Sequence, residues 1–447
     1  MSRHGPGGWG CGDGMTVIDD RADVALHGLP PDGVPAGAMP CARRVGRLFM
    51  VVYGLAYTGL WMALLPPILV GLAMRVRVID PLHAADSLSL VVGVGALAAL
   101  FGNPFFGRLS DRTTSRHGMR RPWLIGGALG GVAGLAVVAQ ASSVPQLLLG
   151  WCITQLAYNA QLAVLAAILS DQIPASQRGT VSGIVSISLP LGMVCGTFLV
   201  QALADSAFAI FLVPAAIALA CALVLACVLR DHRLASVQRS RYGWRGFLGS
   251  FWINPLRFPD FAWTWGSRFL LFAGVAVLLT YQEFYLIHQL GCAPAEVPHR
   301  IFLSTLVQSC MVAIFGVLGG GLSDAVGRRK VFVAGAALLY ALALLVIAFA
   351  ASYAWFLAGM AMTGIAQGTY LAVDLALVTD VLPERKTHAA RNMGIFNIAS
   401  VLPQLLMPAI APGILSASGG SYAALFAVAA VLVVLGAWAI LPVRGVR

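Results

Sequence analysis

Twelve stretches of this chain stay apolar for about 20 residues or more, the length a helix needs to cross the hydrocarbon of a bilayer. They run approximately over 48–73, 87–107, 122–141, 145–170, 180–203 and 207–229, then 262–288, 301–322, 331–351, 354–380, 392–415 and 421–441. A chain built this way cannot close into a water-soluble globule. It is 59% hydrophobic and 11% charged, against about 25% charged in soluble domains, so most of its surface must face lipid. Within lipid every backbone N–H and C=O needs an internal partner, and runs of this length satisfy them as helices. The expectation is an all-α membrane protein with twelve transmembrane helices in two sets of six. Pro66, Pro67, Pro190 and Pro403 fall inside the runs, where neighbouring helices can re-satisfy the freed backbone groups.

The charges orient this array. The formal net charge is +11, and Lys330 and Lys386 are the only lysines. A basic balance can signal nucleic acid, but these arginines sit in short loops between apolar runs, where they set topology in the membrane. With the N-terminus in the cytoplasm, the inner loops receive Arg43, Arg44, Arg47, the 107–123 loop, Arg178, Arg230 to Arg257, Arg328 to Lys330, Arg385 to Arg391 and the C-terminal arginines. The outer loops receive Arg75, Arg77 and Arg300. This asymmetry predicts a multi-pass protein of the cell (inner) membrane with both termini cytoplasmic. Residues 1–42 are rich in Gly, Pro and Asp without hydrophobic periodicity, which reads as a disordered cytoplasmic tail. Residues 43–229 form the first six-helix bundle, 230–260 a cytoplasmic linker and 261–447 the second bundle. The eight cysteines show no metal-ligand spacing and mostly lie within apolar runs, so they read as unpaired small hydrophobes. No cofactor or metal is expected. The absence of GxxxxGK[ST] argues against ATP hydrolysis, and nothing else suggests an enzyme.

The two sets of six are related. GRLSD at 107–111 recurs as GGLSD at 320–324, each followed by basic residues, and LAVLAAILSDQIP at 162–174 recurs as LAVDLALVTDVLP at 371–383. Two matches in the same order, 213 and 209 residues apart (107 to 320, 162 to 371), imply duplicated six-helix units. Such duplication is the sign of a transporter whose bundles rock about a central site.

Charge inside a membrane helix is costly and usually faces the bundle interior. Arg268 and Glu283 in the seventh run and Asp374 in the tenth therefore stand out. Gln367, Tyr370 and Asp374 fall at i, i+3, i+7 on one face and can line one cavity; their repeat counterparts are Tyr158, Gln161 and Leu165. Asn397, Ser400 and Gln404 make a similar set in the eleventh run, Ser304 and Gln308 in the eighth, and Tyr53, Tyr57 and Trp61 in the first. Amides and hydroxyls offer directional bonds to a polyhydroxylated solute; equally, they join helices to one another. Arg268 and Glu283 are about 22 Å apart along an ideal helix and cannot pair. Asp374 is the leading proton-coupling residue, with a structural ion pair to Arg268 or a direct hydrogen bond to substrate as the alternatives, and Glu283 is next.

GRLSDRTTSRHGMRRP and GGLSDAVGRRK resemble the two copies of the loop motif of the major facilitator superfamily, over about 45–445. The first copy is similar to the SDR…SR.GRRRP pattern of the sucrose and glycoside cation symporters, with Met119 in place of an arginine. The resemblance implies the major facilitator fold and gating by the loops: Gly107 and Gly321 allow close helix approach, and Asp111 and Asp324 accept bonds from helix ends or from Arg112, Arg120, Arg121, Arg328 and Arg329. Arginines that merely enforce topology are the plainer reading. The implied function is proton-coupled uptake of a sugar or glycoside by a monomer. Proton-driven efflux of a drug or hydrophobic metabolite, or a non-transporting receptor on the same fold, are the alternatives. The charged residues that plant-type sucrose symporters carry in helix 4 have no counterpart between Gln155 and Leu169, and SLPLGMVCG (188–196) lacks the Gly-Pro order of many drug antiporters.

Overall fold

The computed structural model describes residues 45–111, 113, 115–116, 118–229, 257–381 and 389–443. The expected tail and most of the expected linker lie outside these. Among the described residues, twelve helices are long and apolar enough to cross a membrane. They are α1 Arg47–Ile79, then α2 Ala84–Asp111, α3 Arg121–Gln140, α4 Val144–Gln172, α5 Ala175–Ala202, α6 Ala209–Val228, α7 Pro259–His288, α8 Val297–Val326, α9 Arg329–Ala348, α10 Tyr353–Val381, α11 Ala389–Ala417 and α12 Tyr422–Ala439. Most ends fall within a few residues of the apolar runs. The large difference is at α1, which continues past 73 through Arg75 and Arg77 to Ile79. A run of apolar residues stops at the first charge, whereas a helix stops at a backbone signal, and that signal here is Asp80–Pro81.

Inside α1 the ladder changes pitch. Pro66 and Pro67 remove two donors in succession, and the turn Pro67–Gly71 closes as a π-helix, with the Leu72 N–H bonded to the Pro67 carbonyl. A wide turn of this kind absorbs what two prolines do to an α-helix. Beyond it, Asp80 caps α2: its carboxylate accepts from the His83 amide at 3.3 Å and the Ser87 hydroxyl at 2.7 Å. The Ser87 hydroxyl is the main group holding this carboxyl below its ordinary range.

The helix pairings repeat. In the first half α1 meets α5 and α6, α4 meets α2 and α3, and α3 meets α6. Six helices on, α7 meets α11 and α12, α10 meets α8 and α9, and α9 meets α12. The pairings between halves, α2 with α11 and α5 with α8, exchange with one another under the same shift. Two pseudo-symmetric six-helix bundles follow from this pattern.

Lipid gives helices no hydrophobic reason to associate, so close backbone approach over small residues holds such bundles together. A Cβ on Gly131 of α3 would lie 2.3 Å from the Tyr158 ring of α4, and one on Gly368 of α10 2.5 Å from the Val312 carbonyl of α8. Helix ends gather on two faces. On one, Val45 bonds Gln177, Arg121 bonds the Leu229 carbonyl and Lys330 the Val443 carbonyl; this is the arginine-rich face. On the opposite face, Arg75 bonds the Ala141 carbonyl at 2.7 Å and Tyr353 the Arg300 carbonyl at 2.6 Å.

Candidate functional site

Arg268 enters the interior of the second half from α7, about 14 Å of helix rise from the start of α7 at Pro259. Asp374 stands about 10 Å from the end of α10 on the same side, so the two side chains share a level. The Arg268 Nη1 donates to Asp374 Oδ2, and its Nε donates to the Ser400 hydroxyl of α11 at 2.7 Å. The guanidinium carbon lies 5.1 Å from the Phe272 ring centroid and 4.5 Å from that of Phe396. Asp374 is 0% exposed and Arg268 12%, so this arginine does not reach for headgroups. The Trp265 indole, bonded to the Ile395 carbonyl at 2.9 Å, fastens α7 to α11 beside it.

Asp374 Oδ1, Tyr370 Oη and Ser267 Oγ lie buried around this pair, near enough to act on one another but without a well-formed hydrogen bond. A buried polar atom left unpaired is costly, and atoms of this kind can take a proton or a solute hydroxyl. Two turns along α10, Gln367 accepts from Gln308 of α8 at 3.4 Å, and the same Gln308 amide reaches Thr363 at 3.3 Å. The one-faced set on α10 thus splits into an amide contact and a charged one. On α11 only Ser400 joins the pair; Asn397 is exposed and Gln404 half-buried.

The first half presents no such charge. The repeat carries Asp374 onto Leu165, 209 residues earlier (374 to 165). Tyr53 donates to the Leu165 carbonyl at 2.6 Å, and its ring meets Tyr57 edge-on at 5.2 Å. Tyr158 and Gln161 lie against Gly131 and Gly127 of α3, with the hydroxyl and both amide atoms unpartnered.

A second charged pair sits toward the opposite face. Glu283 of α7, 0% exposed, meets Arg77 of α1 at 3.1 Å, and nearby Tyr281 and Ser89 share a hydrogen bond of 2.6 Å. The sequence reading assigned Arg77 to a loop and missed it. Helix-forming residues uninterrupted as far as Asp80 were the signal available.

On the arginine-rich face, Arg120 is buried and hydrogen-bonded through all three of its nitrogens. Its Nε and Nη2 donate to Asp171 at 3.0 and 2.7 Å, and its Nη1 to Ser110 at 2.8 Å. Asp171 belongs to the repeated LSDQIP segment, whose pattern by itself gives no sign of this role for the carboxylate. Trp123 donates to Thr113 at 2.7 Å. Gly118 at φ 102° and Gly327 at φ 68° turn the chain just before the two arginine pairs, in a left-handed conformation that suits glycine. Gly107 lies 3.6 Å (as a Cβ) from the Ala163 Cβ, while Gly321 has open space around it. The matching approach belongs to Gly320, 3.5 Å from Ala372, because Gly320 is the true repeat of Gly107. Arg328 is exposed and Arg329 half-buried. The side chains of Asp111, Arg112 and Asp324 lie outside the description. The described residues include no group of three or more His, Cys, Asp or Glu side chains able to hold a metal.

Residues 48–311 and 285–446 match the profile of the Major Facilitator Superfamily. Among solved structures, a bacterial homolog of the human lysosomal transporter Spinster, inward-facing and unoccupied, aligns with TM-score 0.65 at 17% identity over 91% of this chain and 99% of that one. The nucleoside transporter NupG aligns with TM-score 0.70 at 15% identity, over 89% of this chain and 99% of its own. A D-xylose-proton symporter aligns with TM-score 0.67 at 15% identity, over 90% and 98%. At these identities the likeness is one of fold. No curated protein sequence matches the chain.

Proposed function

Because this chain belongs to the Major Facilitator Superfamily, a family of transporters and not of enzymes, we propose that it moves a small solute by alternating access and couples that movement to protons at Asp374. The carrying observation is the buried Arg268–Asp374 pair between α7 and α10. In a low-dielectric interior the ionised carboxylate is stabilised by Arg268, the one charged side chain acting on it among the described residues. A proton on Asp374 dissolves that pairing and leaves the guanidinium, still bonded to Ser400, in need of another acceptor. Solute oxygens can supply it. Proton and solute then stabilise the same state of the site, which is the condition for coupling.

The solute reading is a sugar or glycoside, taken up with the proton. It rests on the likeness of the 107–122 loop to the sucrose and glycoside cation symporters and on the amides of Gln308, Gln367 and Gln404. A D-xylose-proton symporter among the fold relatives is compatible with it. Efflux of an amphiphilic compound is the second reading, favoured by the Phe272 and Phe396 rings about Arg268 and by Leu165, the uncharged counterpart of Asp374 in the first half. In both, the arginine-rich face is cytoplasmic, the membrane is the cell (inner) membrane, and 230–260 joins bundles 43–229 and 261–447 on that side of a monomer.

Purified protein screened against sugars, glycosides and amphiphilic drugs by thermal stabilisation tests the solute class. Stabilisation by sugars followed by labelled-sugar counterflow in liposomes is the expected result. Stabilisation by drugs and by no sugar overturns the sugar reading, and binding without counterflow points to a receptor.

A further inference from the structure

A groove runs down the outside of the first half between α3 and α6. Its volume is about 580 Å³, and its walls are Pro122, Ile125, Gly126 and Leu129 of α3 against Leu223 and Cys227 of α6. Gly126 is exposed, and a Cβ built on it meets nothing within 4 Å, so the floor there is open. The two helices pack on α4, on α1 and on each other, all within one half, which sets the groove apart from the Arg268–Asp374 pair. From Arg121 to Leu129 it descends about 12 Å, close to the hydrocarbon depth of one leaflet, about 15 Å.

The top of the groove has a different character. Arg121 and Ser115 close it, and the bond from Arg121 to the Leu229 carbonyl sets the guanidinium across the ends of both helices. Arg116 is exposed in the turn before α3. Five arginines lie between positions 108 and 121 against the single Asp111, and Arg230 and Arg233 follow α6 with Asp231 between them. A polar solute finds no bonds along the apolar walls, and a plain hydrocarbon gains nothing from the charge. A molecule with an anionic head at the membrane surface and an apolar tail below it matches both.

We propose that this groove holds an anionic phospholipid of the leaflet on the arginine-rich side, its phosphate at Arg121 and Ser115 and one acyl chain laid along α3 over Gly126. Basic residues just outside apolar spans attract anionic headgroups. A guanidinium carries its five N–H donors in a planar fork, so bonding a carbonyl and a phosphate at once is within its geometry. The groove adds walls to the acyl chain that a smooth helix surface lacks, and those contacts separate a retained lipid from the lipids that merely surround the protein. The site depends neither on which solute is moved nor on how the bundles move.

Cys227 reports on occupancy, because its free thiol lines the groove. The full chain in detergent is treated with a maleimide while short-chain phosphatidylglycerol, phosphatidylcholine of the same chains, or inorganic phosphate is titrated in. Alkylation is followed peptide by peptide by mass spectrometry. Phosphatidylglycerol should slow the alkylation of Cys227 and leave that of Cys310, exposed on α8, unchanged. Phosphatidylcholine should need at least about fivefold more lipid for the same protection, the order of one arginine's pull on an anionic surface, and phosphate alone should give none. Arg121→Gln should raise the phosphatidylglycerol required by a similar factor. Gly126→Phe fills the groove and leaves every arginine in place, and should make Cys227 alkylation indifferent to the lipid. Equal protection by the two lipids, protection by phosphate alone, no protection at all, or the same slowing at Cys310 overturns the site. So does a Gly126→Phe protein that phosphatidylglycerol still protects as it does the parent.

Discussion

Arg268 holds a carboxylate, a hydroxyl and two aromatic faces at once, and a guanidinium can serve all of them because it is planar with its donors on the rim. Removing the carboxylate altogether, as in Asp374→Ala, strands that charge in the interior and should cost about 3–5 kcal/mol of stability, read as a clear loss of melting temperature. Asp374→Asn keeps the size and a hydrogen bond but cannot titrate. It should abolish accumulation of solute on a pH gradient while leaving solute exchange measurable in the same vesicles. A mutant that concentrates solute like the parent removes Asp374 from the coupling role. At this scale the sequence revealed which face of α10 is polar, since i, i+3, i+7 spacing is local. It offered the partner Arg268 only as an alternative, because the meeting of α7 with α10 depends on a long-range arrangement that periodicity does not encode.

The helices touch where glycine lets them. A Cβ on Gly364 or Gly368 of α10 would fall 2.5 Å from a backbone oxygen of α8, and backbone cannot turn aside as a side chain can. Gly368→Val should therefore part α8 from α10, cost about 1–3 kcal/mol or more and disturb the Gln308–Gln367 contact. Gly126→Val, with nothing within 4 Å, should melt like the parent; equal melting of both variants would refute the argument. The loops between helices carry a different prediction. Asp111→Asn and Asp324→Asn should slow the transport cycle and leave solute affinity from the open side nearly unchanged, measured by exchange rate against equilibrium binding. A large loss of binding with normal exchange contradicts a gating role. Helix existence was legible from run length alone. Helix ends were less so: α1 passes its last apolar stretch by two charged residues, and with them went one partner of an ion pair.

For the molecule as a whole, a repeat visible as two short motifs in each half became a repeated set of helix pairings. Duplication was legible because the motifs survive in the same order at nearly the same spacing. The bonds that join the halves near one face were not, since Ser89 and Tyr281 or Arg77 and Glu283 carry no shared pattern. Which face meets the cytoplasm is a question for labelling. Single cysteines at Gly243 or Gly249 in the expected linker should react with impermeant reagents only in inside-out vesicles, and reaction in intact cells would invert the topology.

The π-helical turn at Pro67–Gly71 gives α1 a phase as well as a length. Such a turn accommodates a residue that a regular helix would lack. Deleting a single residue there lets the turn close as α-helix and rotates everything after it by about 100°. Arg77 would then point along another azimuth, away from Glu283, although no charged residue had been changed. The electrical joint between the halves is thus written in the count of residues before it, and an indel of one in an apolar, uncharged segment would cut it as surely as a substitution.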